Sequence, residues 1–295
     1  MKILGTGLTG LIGSRIVELL SPEYFFHNVS RSTGLDITDF ESVKKEIQDS
    51  DQSVVLHFAA YTDVKKAELE KGMGEQSEAW RINVKGTENV VQACEASGKK
   101  LIYMSTDLIF NGENAPPAGY SEDDNANPLN WYARTKYEGE LRVRAMKNPW
   151  IVMRPAYPYR ANYEKNDFVR LFMQKLSNKE ELTVITDRII TPTFIDNIAL
   201  AMRKLIECNS TGIYHVVGSS KLSIYDAAIE IAKFFEYDKN LIHKTTRKEF
   251  LVGRPDEPFN SALSNAKIRE LGVSMLTFLE GLSTIKEQLA ADSKL

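Results

Sequence analysis

The chain is poor in the features that announce several protein classes. It has two cysteines, Cys94 and Cys208, far apart and outside any C-x-x-C or histidine-containing spacing. That pattern argues against a disulfide framework or a zinc site and suits incidental thiols in a reducing compartment. Its four histidines, His27, His57, His215 and His243, are scattered over expected strands and their edges. There a packed or solvated ring is commoner than a ligand, so no metal is expected. No apolar run approaches the length of a membrane span, and the first residues read as a buried strand entering a turn, not as a signal peptide. A cytoplasmic address is expected by elimination, with no membrane partner. A net charge of −3, without any Lys/Arg block or basic-aromatic interleaving, gives no electrostatic reason to expect nucleic acid.

What is present is an ordinary soluble composition, 43% apolar and 26% charged over 295 residues, enough to bury a substantial core. Short apolar runs alternate with amphipathic segments, the pattern of a parallel sheet covered by helices. Strands are expected over residues 2–4, 25–30, 53–60, 99–106 and 150–154, the last stopped at Pro155. Helices are expected over 11–20, 40–48 with Asp39 as cap, 75–97 and 131–146. The polar, proline-rich stretch 111–130 reads as a loop. Beyond residue 155 the alternation weakens, with helices expected at 167–176, 197–208, 224–235 and from 278, and strands at 182–186 and 213–217. The expected fold class is α/β, a doubly wound Rossmann-type sheet with a smaller C-terminal α/β lobe. The dinucleotide-binding domain would be residues 1–155. Residues 156–295 would be mainly the substrate-binding lobe, with a segment at about 183–217 returning to the first domain. Exposed helix faces leave a homodimer open.

The stretch GTGLTGLIG fits two glycine fingerprints: Gly5, Gly7 and Gly10 spell G-x-G-x-x-G, and Gly7, Gly10 and Gly13 spell G-x-x-G-x-x-G. Glycines alone say little, but this loop follows a buried strand and opens a helix at the start of a β-α-β unit, the context a dinucleotide pyrophosphate requires. At the end of the second strand, where an NAD site usually carries a carboxylate, the sequence reads HNVSRS. Arg31 stands there, a guanidinium able to fork onto a 2′-phosphate, so NADPH is expected ahead of NADH.

Tyr132 and Lys136, in WYARTK, stand four apart on an expected helix and so share one face. Bringing a phenol from a pKa of about 10 to about 7 takes roughly 4 kcal/mol of preferential stabilisation of the phenolate. A neighbouring ammonium in a dry pocket can supply much of that and also hold the nicotinamide ribose. Tyr61 and Lys65 repeat the Y-x-x-x-K spacing, but Tyr61 closes the third strand, beside the expected cofactor. Tyr132 instead follows a fourth strand ending in Ser105-Thr106-Asp107. Thr106 can hydrogen-bond a carbonyl oxygen that Tyr132 protonates.

Together these residues resemble the extended short-chain dehydrogenase/reductase superfamily, and within it the dTDP-4-dehydrorhamnose reductase family. The specific items are LDITD (35–39), STDLIFNG (105–112) and the segment around Tyr132; AAYT (59–62), TPT (191–193) and RPDEPFNSAL (254–263) also match. The resemblance selects Gly7, Gly10 and Gly13 as the fingerprint. It implies that Gly10, Leu11 and Ile12 meet the pyrophosphate, Asp36 and Ile37 the adenine, and that Ala59, Ala60 and Tyr61 line the cofactor. Thr106, Tyr132 and Lys136 would be catalytic, with Asp107 near the substrate. The implied reaction is reduction by NADPH of the C4 ketone of a nucleotide-linked deoxysugar. Tyr157 stands where the family usually has tryptophan, and the late basic motif keeps only Arg254 beside an acidic insertion, Asp256-Glu257. Both positions bear on the substrate. NVKGT at 83–87 is closer to nucleotide-sugar epimerases, so a 4-epimerase is an open alternative, as is a non-catalytic NADP-binding regulatory subunit.

Overall fold

The computed structural model describes residues 1–292. Six strands, β1 (Lys2–Thr6), β2 (Phe25–Val29), β3 (Val54–His57), β4 (Lys100–Met104), β5 (Trp150–Arg154) and β6 (Gly212–His215), form one parallel sheet in the order β2-β1-β3-β4-β5-β6. Every residue of β3 and β4 is buried, because helices cover both faces of the sheet. The strand period of two sorts the side chains. Ile3, Leu56, Ile102, Ile151 and Met153 pack with α1 (Leu11–Leu20), whereas Leu4, Val55, Leu101, Tyr103 and Val152 pack with α2 (Phe40–Asp49), α3 (Thr87–Ala96) and α4 (Trp131–Arg144). The Asp39 side chain caps α2 by accepting from the Ser42 amide, as its position predicts.

After β5 the chain leaves the sheet and builds a second core from α5 (Phe168–Ser177) and the strand Leu182–Ile185. It returns through α6 (Ile195–Glu207), which packs beside α1 and leads into β6. The segment that returns is shorter than 183–217. Leu182–Ile185 stays in the lobe, paired in parallel with Ile242–Thr245, and the main sheet is rejoined only from Ile195. The lobe is completed by α7 (Ile224–Phe234) and α8 (Phe278–Asp292), which pack with α5 around Tyr159, Phe172, Ile231 and Phe278.

The two parts are clasped at the glycine-loop helix. Arg160 reaches both carboxylate oxygens of Glu18 at 2.8 Å and the Ser14 hydroxyl at 2.9 Å, and the Tyr163 hydroxyl donates to the Thr9 carbonyl at 2.8 Å. The stretch 75–97 departs from one continuous helix. Gly74, at φ 54°, breaks the preceding turn; Ser77 caps a short helix at Glu78–Trp80, and Arg81–Gly86 is a π-helical turn leading into α3. The widened turn serves Asn83, whose amide bonds the Tyr61 N–H (2.8 Å), the Tyr61 carbonyl (3.1 Å) and the Thr135 hydroxyl (3.0 Å). Amphipathic spacing carries no sign of such a turn. Among the described residues no helix is long and apolar enough to cross a membrane, and no group of three or more His, Cys, Asp or Glu could hold a metal.

Candidate active site

A cavity of about 570 Å³ opens at the carboxyl ends of the sheet strands, where ligands bind in doubly wound folds. Its floor is the glycine loop. Gly7 has φ +71°, and a Cβ there would lie 2.4 Å from the Ala59 nitrogen; a Cβ on Gly13 would lie 2.6 Å from the Gly7 carbonyl. Neither position accepts a side chain while β1, the loop and β3 keep this approach. Gly5 also has a packing reason, since a Cβ on it would strike the Leu8 side chain at 2.6 Å. Gly10 is the N-cap of α1 but offers no side-chain cap, and the first turn carries no acidic residue. The uncapped N–H groups of that turn therefore face the cavity end as ready donors for an anionic group.

Around this floor the fold brings together Gly7, Gly10, Leu11, Ile12, Gly13, Ala59, Ala60, Thr106, Asp107, Tyr132, Lys136 and Tyr157, all lining the cavity. Six other residues singled out in the sequence, Arg31 among them, lie outside its lining. Tyr61 packs against the cluster of Ala67, Ala79 and Tyr132 with its backbone held by Asn83. Ile37 is buried under Gly86. Asp36 accepts from the Thr38 amide and hydroxyl at 2.9 Å and pairs with exposed Arg31 at 3.6 Å. Arg254 is exposed, with its guanidinium 4.1 Å from the Phe250 ring centre. Lys65 is exposed on the helix Val64–Leu69, away from this chemistry.

Asn130 begins α4 by accepting from the Ala133 amide at 2.9 Å, which puts Tyr132 in the first turn and Lys136 one turn on. Both are buried. Burial, then the nearby Asp107 charge, pushes the Tyr132 phenol above its ordinary value, while the Thr106 hydroxyl pulls the other way. Burial lowers Lys136 to about 7, opposed by Glu140. Its Nζ donates to the Met104 carbonyl at 2.7 Å and sits 4.3 Å over the Tyr103 ring. The expected lowering of the phenol by the ammonium is therefore absent from the protein alone, because burial dominates at Tyr132 and the Lys136 ammonium is directed at a carbonyl. Thr106 donates to Asp107 at 3.2 Å, and Ser261 from the far end of the chain donates to the other Asp107 oxygen at 2.7 Å. Burial raises the Asp107 carboxyl; Ser261, Arg188 and Thr106 oppose the rise.

Several cavity and support residues escaped sequence reasoning. Tyr163, Lys165 and Asn166 reach the cavity from the loop before α5. Their only signal was a polar stretch after β5. Tyr157 has φ 43°, an uncommon backbone for an aromatic residue, and lies under the buried Arg188, 5.2 Å from its guanidinium; Arg188 also pairs with Glu257 of the acidic insertion. Glu140, one turn beyond Lys136, is fully buried and accepts from Ser105 at 2.7 Å and from Arg154 at 2.6 and 3.1 Å. A repeating i, i+4 spacing from Tyr132 through Lys136 was the available clue to it.

Known proteins resemble this chain in both sequence and architecture. The family model described as the RmlD substrate binding domain matches residues 1–291. The dTDP-4-dehydrorhamnose reductase of Sinorhizobium fredii (strain NBRC 101917 / NGR234) is 30% identical over 230 residues, covering 76% of this chain and 74% of that protein. Its namesake from Aggregatibacter actinomycetemcomitans is 28% identical over 302 residues, covering 97% and 98%. The crystal structure of dTDP-4-dehydrorhamnose reductase from Bacillus anthracis str. Ames in complex with NADP superposes with a TM-score of 0.88 at 30% identity, covering 97% of this chain and 99% of that one. The glycine floor, the Thr106/Tyr132/Lys136 group at the sheet edge and a match spanning nearly the whole length agree: the chain belongs to the RmlD substrate binding domain family, the dTDP-4-dehydrorhamnose reductase family of the extended short-chain dehydrogenase/reductases.

Proposed function

We propose that this chain is an NADPH-dependent reductase of the C4 ketone of a nucleotide-linked deoxysugar, served by the residues that line the cavity and by neighbours just outside its lining. The observation that carries the reading is the convergence, in one cavity, of an uncapped helix N-terminus over a side-chain-free glycine floor with a buried hydroxyl, phenol and amine. The residues fit a dinucleotide: the first-turn amides of α1 at Gly10, Leu11 and Ile12 would hold the pyrophosphate, and Gly7 and Gly13 leave it room. Arg31 would meet the adenosine 2′-phosphate, Asp36 and Ile37 would border the adenine, and Ala59, Ala60 and Tyr61 would border the rest of the cofactor. Bound there, NADPH supplies the hydride that reduces the ketone.

Thr106 hydrogen-bonds the ketone oxygen and Tyr132 delivers a proton to it as negative charge develops. A phenol raised by burial stays protonated at neutral pH, so the donor is present when needed. Lys136 holds the nicotinamide ribose and stabilises the phenolate left behind, the differential stabilisation that accelerates a proton transfer. Such positioned acid catalysis contributes roughly 10²–10⁴-fold. The substrate enters from the lobe side, where Asp107 and Tyr157 lie, and the clasp between Arg160, Glu18 and Ser14 keeps the lobe over the glycine loop. The 4-epimerase alternative rested on NVKGT, and Asn83 in that motif has its own structural duty in fixing Tyr61.

The test is oxidation of NADPH on addition of a dTDP-4-keto-6-deoxyhexose. Tyr132→Phe should lose at least about 10²-fold in kcat while binding NADPH as tightly as the parent, by fluorescence titration. A mutant that turns over at the parental rate would refute the assignment.

A further inference from the structure

We propose that Glu140 is a positioning residue for the reduction: through Lys136 on its own helix and Ser105 at the end of β4, it holds the amine and the Thr106 hydroxyl in working arrangement. This rests on the reductase reading above. Tyr132, Lys136 and Glu140 follow one another at four-residue steps along α4, so the carboxylate lies one turn behind the amine on the same stripe. Both of its oxygens are committed. One accepts from Ser105 Oγ at 2.7 Å and Arg154 Nε at 3.1 Å, the other from Arg154 Nη2 at 2.6 Å. Arg154, itself buried on β5, is braced by His215 Nε2 at 3.1 Å, and His215 in turn by the Tyr120 carbonyl at 3.0 Å.

Two consequences reach the cavity. Ser105 lies between Met104, whose carbonyl receives the Lys136 ammonium, and Thr106, so its tie to Glu140 sets the backbone that presents both. Glu140 is also the carboxylate that opposes burial at Lys136. Facing that amine are the Tyr103 ring on β4 and His57 on β3, the latter kept neutral at ordinary pH and pulled down to about 3 by burial and by Lys136 itself, with Tyr132 one turn before it on α4. Asp107 acts on Tyr132 from beyond the phenol, Arg154 on β5 lies behind Glu140, and Arg144 touches Glu140 at 3.7 Å from the surface side. An ion pair that merely glued α4 to β5 would require neither the bond to Ser105 nor the turn-by-turn alignment with the amine.

The experiment uses the full chain with isotope-labelled lysine, following the Lys136 signal through a pH titration by NMR and assigning it by its loss in Lys136→Gln. Glu140→Gln should move the Lys136 titration down by about one pH unit or more, and the falling alkaline limb of kcat should move with it. Glu140→Asp keeps the charge and should hold the titration near that of the parent, while its shorter arm loses Ser105 and lowers kcat several-fold. Because Glu140→Gln strands a buried guanidinium, Glu140→Gln/Arg154→Gln serves as the variant with no unpaired charge, and the same downward shift is expected. A folded variant lacking the Glu140 charge in which Lys136 titrates as in the parent overturns the proposal. Should the parent fail to reduce any keto-sugar nucleotide while the Lys136 shift is seen, the reductase reading falls and the coupling between Glu140 and Lys136 stands.

Discussion

Lys136 shows what a buried amine costs its host. An amine lowered to about 7 by burial is a charge the fold would hold more easily if it were absent. Lys136→Met should therefore raise the stability of the chain, by on the order of 1–3 kcal/mol at pH 7, while removing turnover; a denaturant midpoint that falls instead would mean the bond to Met104 outweighs the desolvation. Arg31 carries the other residue-scale prediction. It is exposed, and its Asp36 partner is 3.6 Å away, so it is free to turn to a phosphate at little cost. Arg31→Ala should weaken NADPH binding by about 10- to 100-fold and leave NADH nearly unchanged, since a charge-assisted bond to a phosphate contributes about 1.5–3 kcal/mol. Equal losses for both nucleotides would assign Arg31 a general surface role. The Tyr132 and Lys136 pair was legible because one helical turn joins them. Glu140 lies one turn further on the same stripe, but its meaning depends on Ser105 and Arg154, brought from two other strands.

At the scale of the element, the helix Leu11–Leu20 was readable to the residue and the strand before it two residues short of Thr6, because glycine spacing and a buried apolar run act locally. The comparison of Gly5 with Gly13 was less readable. Gly5 stands outside the Gly7, Gly10 and Gly13 triple, and nothing in the spacing shows its packing; with Leu8 packed 2.6 Å from the position of its Cβ, Gly5→Ala should cost about 1–3 kcal/mol of stability by overpacking. Its folded fraction should still bind NADPH with parental affinity. Gly13→Ala, which meets the Gly7 carbonyl, should instead disturb the loop itself and lose binding. Calorimetry with nucleotide titration on both variants separates the two outcomes, and parental binding by Gly13→Ala would contradict the role given to the loop. The π-helical turn at Arg81–Gly86 lay beyond periodicity, since it answers to a backbone contact with Tyr61 from another element.

Across the whole molecule, buried polar groups link the cavity to the core. His57 hydrogen-bonds Thr6 (2.7 Å) and Thr87 (3.0 Å), His215 bonds Arg154, and both are pulled down to about 3 by burial. Unfolded histidine takes up a proton near pH 6.5, so below that pH the unfolded chain binds protons the folded chain refuses. Stability should thus fall as pH falls, each histidine contributing a slope of up to about 1.4 kcal/mol per pH unit. Burial raises Asp107 and Glu122, which work against this slope, so the check is His57→Asn: its urea midpoint should fall less steeply between pH 7 and 5 than that of the parent. The strand-helix alternation was legible from the first 155 residues. The lobe was less so, because its short strands pair across long sequence separations, Leu182–Ile185 with Ile242–Thr245, and the cavity loop at 163–166 arrives with it. In the proposed reaction hydride passes directly from the nicotinamide cofactor to the sugar ketone in this cavity. Turnover of a dTDP-4-keto-6-deoxyhexose with NADPH deuterated at the nicotinamide C4 tests it most directly. With the label placed on each C4 face in turn, one of the two cofactors should give a product with one deuterium at sugar C4, matched by NADPH consumed; a product without label from both, or an epimerised ketone with no NADPH consumed, would sink the reading.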